Sequence, residues 1–250
     1  MATEKRSEQI VIDRRFCGPP DSGNGGYVCG RLAAHVPGVA EVTLRLPPPL
    51  ERPLQVARLA DGSVELRDGE AVVAQARTTS FDMPSPEPVA LPEAETAAKN
   101  SLALDDRSPF RTCFVCGSGR PPGDGLCIYP GPVTGRDMLA APWLPDASLA
   151  GPDGMVPPEF VWAALDCPSG FAVGLGPEIV AVLGRLAAKQ LAPVQVGRRY
   201  VITSWSTGSD GRKLFGASAL FAEDGSLCGY ARATWFRLEE TAKAAWESRA

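Results

Sequence analysis

The chain has 250 residues, of which 44% are hydrophobic and 22% are charged, and its formal net charge is -4. This apolar content supports a folded core in one large domain or two modest ones, and it excludes global disorder. The acidic balance lacks the basic face that nucleic acids require and disfavours anionic membrane surfaces, so neither partner is expected.

The first 15 residues are polar and lack the apolar stretch of a secretory signal. No run of about 18 apolar residues predicts a membrane helix. The seven cysteines are irregularly spaced, and without an export signal they favour reduced thiols. A cytoplasmic protein is therefore expected.

The first half begins with a strand pattern, continues through a loop rich in glycine and proline, and then shows a helix pattern. Val28, Leu32 and Val36 recur on one face of that helix. Alternating patterns then predict antiparallel strands, and Asp68-Gly69 marks a hairpin turn. The predicted strands span residues 9–16, 39–46, 54–59, 64–66 and 71–81.

Residues 84–108 are rich in proline and are predicted to form a linker with one helical turn. A helix is predicted over 157–167, where Pro168 and Gly170 should end or kink it. Asp224-Gly225 marks a second hairpin. The strands predicted in this half span 125–129, 136–143, 179–191, 198–207, 214–222 and 226–238.

Short segments of the first half recur in the second. Arg45-Leu46 returns as Arg185-Leu186, and the motif starting at Pro53 returns at Pro193, both 140 positions later. Ala76-Arg77-Thr78 has a counterpart in Ala231-Arg232-Ala233. The sequence therefore predicts a tandem duplication with repeats at 1–83 and 109–240, the linker 84–108 and a tail at 241–250. Pairing of the repeats would complete a shared core, because one helix covers only one face of its sheet.

Five segments carry a family resemblance: Asn24-Gly25-Gly26, Cys113-Phe114-Val115-Cys116-Gly117, Gly125-Leu126, the helix from Phe160 to Asp166, and Ala231-Arg232-Ala233-Thr234. Together they resemble the hot-dog superfamily, and the second half is similar to acyl-CoA thioesterases of the phenylacetate-pathway type. The resemblance implies an α+β double hot-dog with two antiparallel sheets, each wrapping a central helix. It also implies an acyl-CoA-like partner and further association into a homodimer.

The family pattern is divided between the halves. Asp166 lies at the position of the family's catalytic acid, nine residues after Pro157, but the His-Gly-Gly loop is missing there. Asn24-Gly25-Gly26 matches that loop in the first half, where Ala33 replaces the acid. The division predicts one composite site built from the loop of one half and the acid of the other. The alternative is a degenerate site without catalysis.

The chemistry expected of this site is hydrolysis of a thioester. Burial among apolar neighbours would raise the pKa of Asp166, which suits a general base or a nucleophile; a solvated Asp near a helix end is the alternative. Asn24 is its predicted catalytic partner. Backbone N–H groups of Gly25 and Gly26 at a helix N-terminus can bind an oxyanion, and an ordinary N-capped turn is the alternative. Gly25, Gly26, Tyr27 and Phe160 are predicted to bind the substrate.

Two other functions remain in view. A non-catalytic protein that binds an acyl or small apolar ligand is the main alternative, because the motif is divided. A dehydratase is disfavoured, since His35 is the only histidine and lies late in its helix, where it suits the helix dipole.

Cys113 and Cys116 form a single CxxC motif. A structural zinc site needs four ligands, and Cys127 and Cys167 are the available third and fourth. Their spacing matches no common ligand pattern, so neither a metal nor a cofactor is expected.

Overall fold

The computed structural model describes residues 8–84, 86–121 and 123–239, so the predicted tail and the first seven residues lie outside the described chain. Among the described helices, none is long and apolar enough to cross a membrane. The helices are α1 (Gly25–Ala33), α2 (Leu91–Ala98) and α3 (Pro158–Ala172). The strands are β1 (Gln9–Val11), β2 (Ala40–Leu44), β3 (Pro53–Arg58), β4 (Val64–Asp68), β5 (Ala71–Thr78), β6 (Gly131–Pro132), β7 (Leu139–Trp143), β8 (Ala181–Gln190), β9 (Tyr200–Asp210), β10 (Lys213–Ala222) and β11 (Leu227–Arg237).

The strands form one antiparallel sheet in the order β1-β3-β4-β5-β2-β8-β11-β10-β9-β7-β6. Outward from the β2–β8 seam, the order β2-β5-β4-β3-β1 in the first half corresponds to β8-β11-β10-β9-β7 in the second. This correspondence supports the duplication. The sheet differs from the two separate sheets expected, because β2 and β8 pair from Ala40 opposite Ala188 to Thr43 opposite Arg185. That pairing leaves no open strand edge at the centre of the molecule.

The helices α1 and α3 pack against each other on the inner face of this sheet. An added Cβ at Gly26 would lie 2.9 Å from the Cα of Ala163, and one at Gly30 would lie 2.5 Å from the Cα of Glu159. The helices are therefore antiparallel, and glycine permits their close approach. The two contacts exchange under a shift of 133 residues, which also carries Asn24 onto Pro157. The helix pair thus preserves the internal symmetry.

Helix α3 continues through Pro168 to Ala172, so the prediction that it ends at this proline is wrong. Proline removes a backbone donor and disturbs the carbonyl groups of the preceding turn. Two hydroxyl groups donate to carbonyls next to the proline: Ser218 Oγ donates to Leu165 O at 2.5 Å, and Ser169 Oγ donates to Asp166 O at 2.7 Å. The first of these bonds ties this part of the helix to β10.

Three other segments differ from their predicted structure. Residues 125–129 form no strand, and they lie in an irregular region whose Leu126 and Ile128 are buried. The linker contains α2, whose Ala94 and Ala97 are buried in a cluster with β7 and β9. Pro193 lies in the connection before β9, whereas Pro53 begins β3. The sequence repeat at these two prolines is therefore not a structural equivalence.

A buried carboxylate crosses the seam on the outer face of the sheet. Glu41 of β2 is 5% exposed and contacts Arg77 of β5 at 2.6 Å and Arg232 of β11 at 3.3 Å. Arg185 of β8 lies 3.9 Å away. One acid thus links four adjacent strands from both halves.

We expect Glu41→Gln to lower the free energy of unfolding by about 1–3 kcal/mol, because it removes a charge that is buried and hydrogen-bonded. Urea denaturation measures this loss. Asp106→Asn is the control, since it breaks an exposed ion pair with Arg111 and should leave the midpoint unchanged. Equal midpoints for Glu41→Gln and the wild type would contradict the role of Glu41 at the seam.

We expect Gly30→Ala to destabilise the protein although alanine is the better helix former. The propensity gain is about 1 kcal/mol, whereas overpacking against Glu159 and Trp162 should cost about 1–3 kcal/mol more than that gain. Thermal unfolding measures whether the substitution lowers or raises the stability. A higher melting temperature would show that the helices separate at little cost.

Candidate functional site

A cavity of about 300 Å³ opens beside the N-terminus of α1. Its walls are mainly apolar and come from both halves, with Leu44 at the end of β2, Leu183 on β8 and Phe236 on β11. Five of the polar side chains that line it lie close together: Asn24, Cys113, Cys116, Asp166 and Cys167. An apolar pocket with a few convergent polar groups is the usual form of a small-molecule site.

Asp166 is the carboxylate of this cavity, and it is 1% exposed. Its Oδ2 accepts hydrogen bonds from the Gly26 N–H at 2.9 Å and from Asn24 Nδ2 at 3.3 Å. Among the described residues, Oδ1 has no hydrogen-bond partner. The carboxylate is therefore held through one oxygen, while the other is buried without a hydrogen-bond partner among the described residues.

Packing behind Asp166 also fixes its backbone. The Asp166 carbonyl accepts from Ser169 Oγ, which in turn accepts from Trp235 Nε1 at 3.0 Å. This chain runs from α3 to β11, so the position of the carboxylate is coupled to the sheet.

Asn24 orients its amide through the helix that it caps. Its Oδ1 accepts from the Tyr27 N–H at 2.9 Å, as an N-cap residue does. The Nδ2 group must then face Asp166, to which it donates. Gly25, the first residue of α1, also lines the cavity, and its N–H has no acceptor among the described residues.

Burial raises the pKa of Asp166 to about 7. The hydrogen bond from Gly26 opposes this rise, Cys113 adds to it, and the hydrogen bond from Asn24 opposes it. Desolvation dominates because a charged carboxylate loses its hydration in an apolar site.

Three thiols lie next to the carboxylate. The Sγ atoms of Cys113 and Cys167 are 3.7 Å apart, and Cys116 completes the group. Hydrogen bonds from the other two thiols hold the pKa of Cys113 well below its usual range, while the pKa values of Cys116 and Cys167 are raised. The loop that carries the CxxC motif is attached to the first half, where the Phe114 N–H donates to Cys17 O at 2.8 Å.

The structure brings together four of the residues singled out in the sequence: Asn24, Gly25, Gly26 and Asp166. It places Tyr27 and Phe160 elsewhere. They do not line the cavity and instead pack with Phe16 and Phe114 in an aromatic cluster.

Other features of the site were not predicted. Strands β8 and β11 supply part of the cavity wall, and no local sequence pattern indicates which distant strands they pair with. Cys167, by contrast, is one of the two further cysteines that the sequence offers, and it joins the CxxC motif although 50 residues separate it from Cys116; Cys127 is outside this group. His35 is outside the cavity and lies 3.2 Å from Glu8.

No protein-family model matches the chain, and no curated protein is a sequence match. Solved structures do match in fold. A protein of unknown function with a hot-dog fold from Alicyclobacillus acidocaldarius aligns with a TM-score of 0.60 at 10% identity, covering 95% of each chain.

Two further structures cover both halves. A candidate thioesterase II of Thermobifida fusca has a TM-score of 0.59 at 13% identity, covering 95% of this chain and 94% of its own. The tesB protein of Mycobacterium avium subsp. paratuberculosis has a TM-score of 0.56 at 15% identity, covering 87% and 88%. These alignments confirm that the chain has a hot-dog fold distributed over two halves.

We expect Asn24→Ala to lower the free energy of unfolding by about 1–2 kcal/mol, because α1 loses its cap. The loss also removes a hydrogen bond to Asp166. Chemical denaturation compares this variant with Asn100→Ala, an exposed asparagine that caps no helix in the described chain. Similar stabilities for the two variants would show that Asn24 has no structural role at this helix end.

Proposed function

We propose that the cavity hydrolyses an acyl-CoA-like thioester, with Asp166 as general base or nucleophile. The observation that carries this proposal is the contact between the halves. A buried carboxylate of α3 is anchored by the N-terminus of α1 and keeps one oxygen unpaired beside an apolar cavity.

Each group has a defined task in this proposal. Asp166 Oδ1 takes a proton from water, and the resulting hydroxide adds to the thioester carbonyl. The Gly25 N–H, at the positive end of the α1 dipole, donates to the oxyanion. The intermediate then expels the thiolate, which takes the proton from the Asp166 carboxyl. In the nucleophilic alternative, the carboxylate itself attacks the carbonyl carbon and expels the thiolate, and water then cleaves the resulting anhydride, which releases the acid and restores Asp166.

The hydrogen bonds to Oδ2 support the roles assigned to Oδ1 and to the Gly25 N–H. Because Gly26 and Asn24 both donate to Oδ2, the less encumbered Oδ1 is the atom available for chemistry. The Gly26 N–H is already engaged, so we assign the oxyanion contact to Gly25 rather than to both glycines.

The residues around the cavity suit a substrate in which an apolar acyl group is joined to a charged carrier. Leu44, Leu183 and Phe236 give the acyl group an apolar wall. Arg45 is exposed and also lines the cavity, where a guanidinium can pair with a phosphate of coenzyme A. Two proteins of the same fold, the tesB protein and the candidate thioesterase II, carry names that agree with this activity.

A ligand-binding protein without turnover is the second candidate. The observation that favours it is the engagement of the Gly26 N–H by Asp166, which leaves a single donor for an oxyanion.

Hydrolysis of a panel of acyl-CoAs tests the proposal. We expect Asp166→Asn to lower kcat by about 10²–10⁴-fold, because general-base catalysis contributes about that much. Glu159→Gln is the matched control: it alters a carboxylate on the same helix, outside the cavity, and should retain activity.

Equal activity of Asp166→Asn and the wild type would exclude Asp166 as the base or nucleophile. Absence of turnover by the wild type on every acyl-CoA would exclude thioester hydrolysis, and tight binding without turnover would favour the second candidate. With an active enzyme, multiple turnovers in ¹⁸O-labelled water separate the two mechanisms. Label in the Asp166 side chain shows that water attacked the Asp166 carbonyl of an anhydride, which the general-base mechanism never forms.

A further inference from the structure

We propose that Cys113, Cys116 and Cys167 bind a thiophilic metal ion of the zinc class at the polar end of the cavity. This differs from the metal-free site expected from the sequence. It does not rest on the proposed hydrolysis, because it uses the thiols and their surroundings rather than the carboxylate chemistry.

The sulfur positions are close to those that a metal needs. The three Sγ atoms lie within 4.8 Å of one another, and those of Cys113 and Cys167 are 3.7 Å apart. Tetrahedral zinc with bonds of about 2.3 Å separates its sulfur ligands by about 3.8 Å. Coordination would therefore require only small movements of these side chains.

The CxxC turn is built as a chelating loop. The Val115 N–H lies 3.4 Å from Cys113 Sγ and donates to it, and the Gly117 N–H donates to Cys113 O at 2.9 Å. Any side chain at position 117 would place its Cβ 2.4 Å from that carbonyl, so the tight turn requires glycine. The turn brings two thiols to one side, and α3 supplies the third.

The surroundings also suit thiolates. Asn24 Nδ2 lies 3.8 Å from the sulfurs of both Cys113 and Cys167, so one amide donates toward two of the ligands. Such outer hydrogen bonds orient metal ligands and stabilise their charge. All three cysteines are buried, and a divalent cation would offset the charge of three thiolates in this low-dielectric site.

The fourth coordination position faces the cavity. Cys113, Cys116, Cys167 and Asp166 all line it, and the unpaired Oδ1 of the buried Asp166 is a second sign that a ligand belongs there. Three protein ligands with one open position are typical of zinc sites that bind water or a substrate atom. We therefore assign the fourth place to water or to a substrate atom.

Metal content measures this directly. Full-length protein is expressed with zinc in the medium, purified with a phosphine reductant, and assayed by mass spectrometry of the metal. We expect about one zinc per chain in the wild type and less than a tenth of that in Cys113→Ser and Cys167→Ser. Cys228→Ser removes a buried cysteine outside the cavity and should retain the metal.

Cobalt gives a second measurement that does not depend on the variants folding. Adding Co²⁺ to metal-free wild type should produce sulfur-to-cobalt charge-transfer absorption and the ligand-field bands of tetrahedral cobalt, saturating at one equivalent. Folded wild type with neither zinc nor this absorption would overturn the proposal. A disulfide between Cys113 and Cys167 in protein alkylated at lysis would also overturn it, because it would consume two of the three ligands.

Discussion

The hydrogen bond from the Gly26 N–H to Asp166 Oδ2 is the contact on which the site depends. It joins the first helix of one repeat to the helix of the other. It can form only because position 26 lacks a side chain, since an added Cβ would lie 2.4 Å from the Cβ of Asp166. The same close approach buries the carboxylate and places it beside the cavity. The packing of the two helices therefore also fixes the position of the carboxylate in the site.

The symmetry of the helix pair contrasts with the asymmetry of its chemistry. The contacts of Gly26 and Gly30 are related by the internal repeat, so the same helix pair has a second, equivalent contact position. At that position Pro157 and Pro158 begin α3, and neither has an N–H to donate. Ala33 stands there in place of the acid. The helix pair thus has two equivalent positions, and the groups of the proposed composite site occur at only one of them.

Sequence patterns reveal the parts of this protein that depend on neighbouring residues. Apolar periodicity predicts both central helices and most strands. Asn24 and Asp166 are selected by the resemblance, because they stand where the hot-dog thioesterases have their loop and their acid. The resemblance to the hot-dog superfamily predicts the fold, which the solved structures confirm. These features are encoded locally, so a single sequence is enough to find them.

The remaining features depend on contacts between distant segments. The β2–β8 seam joins residues more than a hundred positions apart, so the single sheet has no local signature. Helix α3 contains Pro168, and Ser218 of the distant strand β10 donates to a carbonyl of this helix three residues before the proline. Tyr27 and Phe160 pack together in the interior although both flank the predicted site, because helix direction rather than sequence proximity decides where a side chain points.

The central claim is that one composite site forms where the two halves meet. Isothermal titration with a set of non-hydrolysable thioether analogues of acyl-CoA tests it most directly, because it counts sites. One analogue bound per chain, with binding weakened in Asp166→Asn, is the predicted result. Two equivalents per chain, or one whose affinity is independent of Asp166, would contradict a single site at the contact between α1 and α3.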